Sequence, residues 1–345
     1  MPRGLKNDFQ IWKLARDLGL PATDPLGEII LYCTKWTRAL LKEFPCESLS
    51  ELLENAAARL DTVFREIHTD EELRQIRDHF LARGEKEFAL VDHELGPGTF
   101  AITFRLLKPK RGEREFISII DCRDDKRFRS YYSKWHELAH LITLTDQRRF
   151  KFCRTHSIVN KKDPEEALME VIAGHVGFLP DLVKHHASGP ISFQKIADVR
   201  KIICPDASYQ ASTIGLARSW PTPCVLLEAT LEYKNSERDN LSQRTFSFAA
   251  APKPELRITH ITASQDAGDL AKNLHPHIRI PARSIIHKVF VEEVESADDR
   301  AEDLSWWETK KGGHLRSAPF TVSARKRGDS VQALLIPIAR RNTIT

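Results

Sequence analysis

Residues 136–140 read His136-Glu137-Leu138-Ala139-His140, inside the run Tyr131–Leu144, which contains no proline or glycine. An unbroken helix sets residues four apart on one face, so both imidazoles can point at one place. Such a pair is the first half of a zinc site, whose completion needs a third ligand beside the helix. Two neutral imidazole nitrogens and one further protein donor occupy three corners of a zinc tetrahedron and leave the fourth open for water. A metal lowers the pKa of that water toward ~7, and Glu137, about 100° round the helix from His136, can take its proton. A histidine pair on an amphipathic helix surface would give the same spacing with no metal, so the rest of the chain has to supply the missing ligand.

One route to it is closed. Peptidases that continue His-x-x-Gly-x-x-His rely on glycine for a sharp turn, and Thr143 stands at the glycine position, which makes Asp146 a poor ligand. A glutamate on a downstream helix is the other route. The segment Asp163–Ala173 offers one, with Asp163 as N-cap and Pro164 at the first helical position. Glu165 and Glu166 fall in the first turn, where capping and the helix dipole alone would account for them. Neither accounts for Glu170, one turn beyond Glu166 in an otherwise apolar stretch, where burial of an unpaired charge would cost several kcal/mol. One arrangement that uses both acids puts Glu166 on the metal and lets Glu170 accept the second N–H of a ligating histidine.

These residues resemble the ImmA/IrrE family of gluzincin-like zinc metallopeptidases. The resemblance covers roughly residues 100–182: an HExxH helix, then a Glu-x-x-x-Glu helix ending near Phe178-Leu179-Pro180. Its second helix carries Glu170 where Asp or Asn is commoner. The resemblance implies His136, His140 and Glu166 as ligands of Zn²⁺, with Mn²⁺ as the alternative ion, and Glu137 as general base. It also implies a protein substrate, a helix-turn-helix transcriptional repressor cleaved during a stress response. No helix-turn-helix is evident in this chain, so the repressor would be a separate protein.

The expected fold class is α+β, in three parts: an N-terminal helical region (1–85), a zincin-like core with a small antiparallel sheet and the HExxH helix (86–205), and a strand-rich α+β domain (206–345) for sensing or substrate binding. Helical periodicity covers Asp8–Leu18, Asp24–Phe44, Leu52–Ile67 after a capping box at Ser48–Glu51, Thr69–Arg83 and Ser192–Ile203. Strand patterns cover Phe88–Val91, Thr99–Leu106, Phe116–Ile120, Cys224–Tyr233, Leu256–Thr262 and Val331–Ile338, with one or two more in Ile278–Glu293. Leu241–Lys253 reads as a polar connection, and Lys108–Arg111 and Arg325–Arg327 as basic loops.

Six cysteines (Cys33, Cys46, Cys122, Cys153, Cys204, Cys224) are scattered without a Cys-x-x-Cys pair, which suits buried free thiols better than a disulfide framework. Without an apolar signal core or a span of ~20 apolar residues, the chain reads as cytoplasmic with no membrane partner. Net charge is +4, yet Arg123–Lys162 holds eleven Lys or Arg against four Asp or Glu. That span leaves a nucleic-acid-binding protein as an alternative reading, beside a non-catalytic metal-binding regulator. His175, His185, His186, Trp306 and Trp307 read as core or surface residues, and Arg154 as a candidate for polarising a substrate carbonyl.

Overall fold

The computed structural model describes residues 8–145, 151–155, 163–234, 237, 253–292, 294, 296–309 and 313–338, with backbone only at 152–155 and 296–299. The protein is α+β. Its chain forms two compact units, Met1–Leu182 with Val199–Gly215, and Val183–Asp198 with Leu216–Thr345.

The first unit begins with three helices, α1 (Phe9–Asp17), α2 (Pro25–Glu43) and α3 (Leu49–Arg59). Asp8 caps α1 by accepting from the Gln10 N–H, Pro25 opens α2, and Ser48 caps α3 by accepting from the Glu51 N–H. The long helix expected over Leu52–Ile67 stops at Arg59. Asp61 turns the chain at φ 50°, and Thr62–Ile67 becomes strand β1. The run Thr62-Val63-Phe64 is β-branched and aromatic, a composition that packs better on a sheet than in a helix. Thr69 then caps α4 (Asp70–Leu81) by accepting from the Glu72 N–H, and the Glu72 carboxylate reaches back to the His68 N–H, one residue before the cap, at 2.6 Å.

The segment expected as a strand at Phe88–Val91 is a 3₁₀ turn, Lys86–Leu90, leading into α5 (Val91–Glu94). Here Phe88 serves the core as a single plug, stacked between Phe80 at 4.2 Å and Phe104 at 4.1 Å. Strands β2 (Thr99–Arg105), β3 (Phe116–Asp121) and β4 (Lys151–Thr155) complete a sheet of order β1-β3-β2-β4. β2 is antiparallel to both neighbours, whereas β1 runs parallel to β3. The sheet is therefore mixed rather than antiparallel, because its first strand comes from residues that read as helix.

One face of this sheet (Ile102, Phe104, Ile117, Ile119) packs on Leu73, Phe80 and Phe88. Against the sheet also lies helix α6 (Ser130–Ile142), which pairs in turn with α7 (Pro164–Val176). The two helices approach closely at Gly177: a Cβ there would stand 2.8 Å from Trp135 Cδ1. Tyr131 Oη locks the same corner by donating to the Gly177 carbonyl at 2.6 Å. Helices α8 (Pro180–His186), α9 (Phe193–Ile203) and α10 (Tyr209–Ser219) follow.

The second unit is built on an antiparallel sheet of order β6-β5-β9-β8-β7, from β5 (Val225–Glu232), β6 (Glu255–Ala263), β7 (Ser296–Asp303), β8 (Pro319–Arg327) and β9 (Ser330–Pro337). Its core gathers Val225, Leu227, Ile258, Val322 and Leu335 around the fully buried Trp307, with helices α11 (Gly268–Asn273) and α12 (Ile285–Val291) in the same unit. The strand expected within Ile278–Glu293 is reduced to one bridge, Arg257–Arg279, followed by α12. Ser284 caps that helix, and Ile286 and Val289 are buried three apart, so β-branched composition misled where spacing did not. Arg325–Arg327, read as a loop, ends β8: Arg325 stacks 3.9 Å over Phe193, and Gly328 at φ +56° makes the turn into β9. The connection expected at Leu241–Lys253 lies outside the described residues up to 252.

Candidate metal centre

Ten of the thirteen residues of α6 are buried, including both histidines and Glu137. A helix so covered on most sides has to place its polar groups against one another. His136 is 0% exposed, His140 1% and Glu166 9%. Glu166 enters from the first turn of α7, whose start is fixed by Asp163 accepting from the Glu165 N–H at 2.9 Å and by Pro164. His136 Nε2 lies 3.1 Å from Glu166 Oε2, and His140 Nε2 lies 3.1 Å from Glu166 Oε1. One ligand atom from each of the three residues falls within 4.8 Å of the others, a group that could hold a metal ion.

The donor chemistry fits a divalent cation. With bonds of 2.0–2.1 Å, adjacent donors of a tetrahedral centre stand about 3.3 Å apart, close to the spacings here. Without a cation the same cluster needs protons in its place. Burial pushes His140 down, but the carboxylates of Glu165 and Glu166 outweigh it and raise its pKa to about 9. Burial likewise pushes Glu166 up, while His136 and His140 hold it well below the usual carboxylate range. A divalent ion would substitute for those protons among the same three side chains.

Sequence reasoning placed a supporting carboxylate at Glu170, which is half-buried and whose carbonyl accepts from Tyr132 Oη. Glu165 stands beside a candidate ligand histidine, its Oε1 3.4 Å from His140 Nδ1. In the sequence Glu165 reads as a first-turn acid that the helix dipole and capping explain, and its position next to Glu166 is the clue to this contact. Glu137 is fully buried next to His136, its Oε2 accepting from Thr103 Oγ1 at 2.7 Å. The sequence signal for that contact was a lone threonine in the apolar run of β2.

His175 and His186 are half-buried, His185 is exposed, and Trp307 is buried beside a half-buried Trp306. Asp146 and the Arg154 side chain lie outside the described residues. Four cysteines (Cys33, Cys122, Cys204, Cys224) are buried free thiols and Cys46 is half-buried; Cys153 lies outside the described side chains. Much of the basic span is used internally. Arg123 and Lys126 bind Asp121, Lys134 binds Glu66 at 2.8 Å, Lys151 binds Glu94, and Arg129 sits 4.5 Å over the Phe100 ring. No helix among the described residues is long and apolar enough to cross a membrane. The chain matches no model of a known protein family and no curated protein sequence.

Proposed function

We propose that the chain is a metal-dependent endopeptidase of the ImmA/IrrE type, with zinc, or manganese in its place, held by His136, His140 and Glu166. The observation that carries this reading is the convergence of those three buried donors beside Glu137. When bound, such a metal would acidify a water molecule and polarise a peptide carbonyl. Glu137, buried beside the three donors, would be the residue that accepts a proton there and delivers it to the leaving amine, the two halves of general acid–base catalysis. Glu165 restrains the His140 ring through Nδ1, which keeps Nε2 turned toward Glu166. Burial of the ligands excludes bulk water and strengthens every charge interaction among them.

The substrate class is protein, and the resemblance makes a helix-turn-helix repressor the first candidate. The buried free thiols support a reducing compartment, in keeping with a cytoplasmic site of action. The ion pairs made by Arg123, Lys126, Lys134 and Lys151 engage four of the described cations of that span internally, which favours the peptidase reading over nucleic-acid binding by those residues.

Metal content by mass spectrometry tests the assignment. The wild type is expected to hold about one zinc or manganese per chain, Glu166→Ala to lose it and Glu170→Ala to keep it. Glu137→Gln should keep the metal and lose hydrolysis. A wild type that remains metal-free after reconstitution would end the peptidase reading.

A further inference from the structure

Glu137 is oriented by a pair of hydroxyls from the sheet. Thr103 on β2 and Ser118 on β3 are direct cross-strand partners, both 0% exposed, and their oxygens lie 2.7 Å apart. Thr103 Oγ1 also lies 2.7 Å from Glu137 Oε2. An ionised carboxylate only accepts, so the single Thr103 proton is committed to Glu137. The contact with Ser118 then has a fixed sense: Ser118 Oγ donates to Thr103 Oγ1, which donates to Glu137 Oε2.

We propose that Thr103 and Ser118 are positioning residues for the general base, a role that rests on the peptidase reading given above. Threonine is stiff about χ1, and its partner sits on the adjacent strand of the same sheet, so the donor to Glu137 has little freedom to turn. With Oε2 committed to Thr103, the carboxylate plane is fixed and the proton of the reacting water is taken up at Oε1. Asp121, a buried carboxylate at the end of β3, is held by two cations, Arg123 and Lys126. Glu137 Oε2 is met instead by a neutral hydroxyl, which orients a base without neutralising it.

The test uses the zinc-loaded full chain and acetohydroxamate, a small metal-chelating probe whose N–O–H group needs a correctly placed carboxylate acceptor. Binding is followed by calorimetry, with zinc content and unfolding temperature measured on every variant. Thr103→Val, Thr103→Ser, Ser118→Ala and the control Glu137→Gln should all hold about one zinc. The hydroxamate dissociation constant should rise about tenfold in Thr103→Val, as for loss of one charge-assisted hydrogen bond. It should return to the wild-type value in Thr103→Ser and fall between the two in Ser118→Ala. Turnover of a cleaved protein, once identified, should drop about a hundredfold in kcat in Thr103→Val with KM little changed.

Wild-type affinity in Thr103→Val beside weakened Glu137→Gln would overturn the positioning role alone, as would failure of Thr103→Ser to restore binding. Should Thr103→Val not fold, Ser118→Ala and Thr103→Ser decide by the same criteria. If Glu137→Gln binds the probe as wild type does, or the wild type binds no zinc, the peptidase reading itself has failed and the positioning role with it.

Discussion

Asp121, at the end of β3, accepts from Arg123 Nε at 2.9 Å, Arg123 Nη2 at 2.8 Å and Lys126 Nζ at 2.7 Å while only 1% exposed. Burial alone would raise its pKa, but these cations hold it below the usual carboxylate range. A depressed folded-state pKa gives stability that is present above the unfolded value near 4 and is lost as pH falls through the folded one. Asp121→Asn leaves Lys126 without its counter-ion and Arg123 with the exposed Asp70 alone, and should cost about 3–5 kcal/mol in urea unfolding at pH 7. That difference from wild type should shrink below about pH 4. At the metal centre, Glu165→Gln should leave one metal per chain but weaken its affinity about ten- to a hundredfold, measured by competition with a chelator. The candidate pair His136 and His140, with Glu137 between them, is legible because four-residue helical spacing is a local rule, whereas Glu166, on a separate helix, comes from the family resemblance. Glu165 and Thr103 are not legible, since their roles depend on which side of α7 meets His140 and which strand lies under α6.

At the scale of elements, the corner at Gly177 is a close approach between α6 and α7, the two helices that carry the candidate ligands. Gly177→Ala would press a methyl group into Trp135 and the Ala173 carbonyl, at 2.8 and 2.7 Å. Overpacking of this kind should cost about 1–3 kcal/mol and loosen the spacing of Glu166 from the histidines. Lower thermal stability together with weaker metal binding is the expected pair of outcomes. Loss of stability with metal affinity unchanged would separate the corner from the centre. The capped helices α1, α3, α4 and α7 could be read from the sequence because cap and periodicity agree there, whereas α12, capped by Ser284, reads as a strand from its β-branched composition. The Leu52–Ile67 stretch could not: its apolar spacing continues through Asp61, and only the positive φ at that residue, together with pairing to β3, turns the second half into β1. Similarly, Phe88 has strand composition but takes its conformation from the two rings that sandwich it.

At the scale of the molecule, all three candidate ligands belong to the first unit. Metal removal should therefore act on one unit only. Calorimetry of the loaded chain is expected to resolve two transitions, of which a chelator lowers one by several degrees and leaves the other in place. Equal movement of both would show that the units unfold as one. The strand-rich character of the second half could be anticipated from alternating patterns. The boundary between units could not, because composition carries no mark of a chain that crosses it more than once. The path enters the second unit at Val183, returns to the first at Val199 and leaves again after Gly215. A ribosome therefore cannot deliver a finished first unit when Leu182 emerges; its last piece, Val199–Gly215, arrives only after a stretch belonging to the other. A gene cut at any single point would divide at least one of the two units between the fragments, so the two halves of this protein have to be inherited, expressed and engineered together.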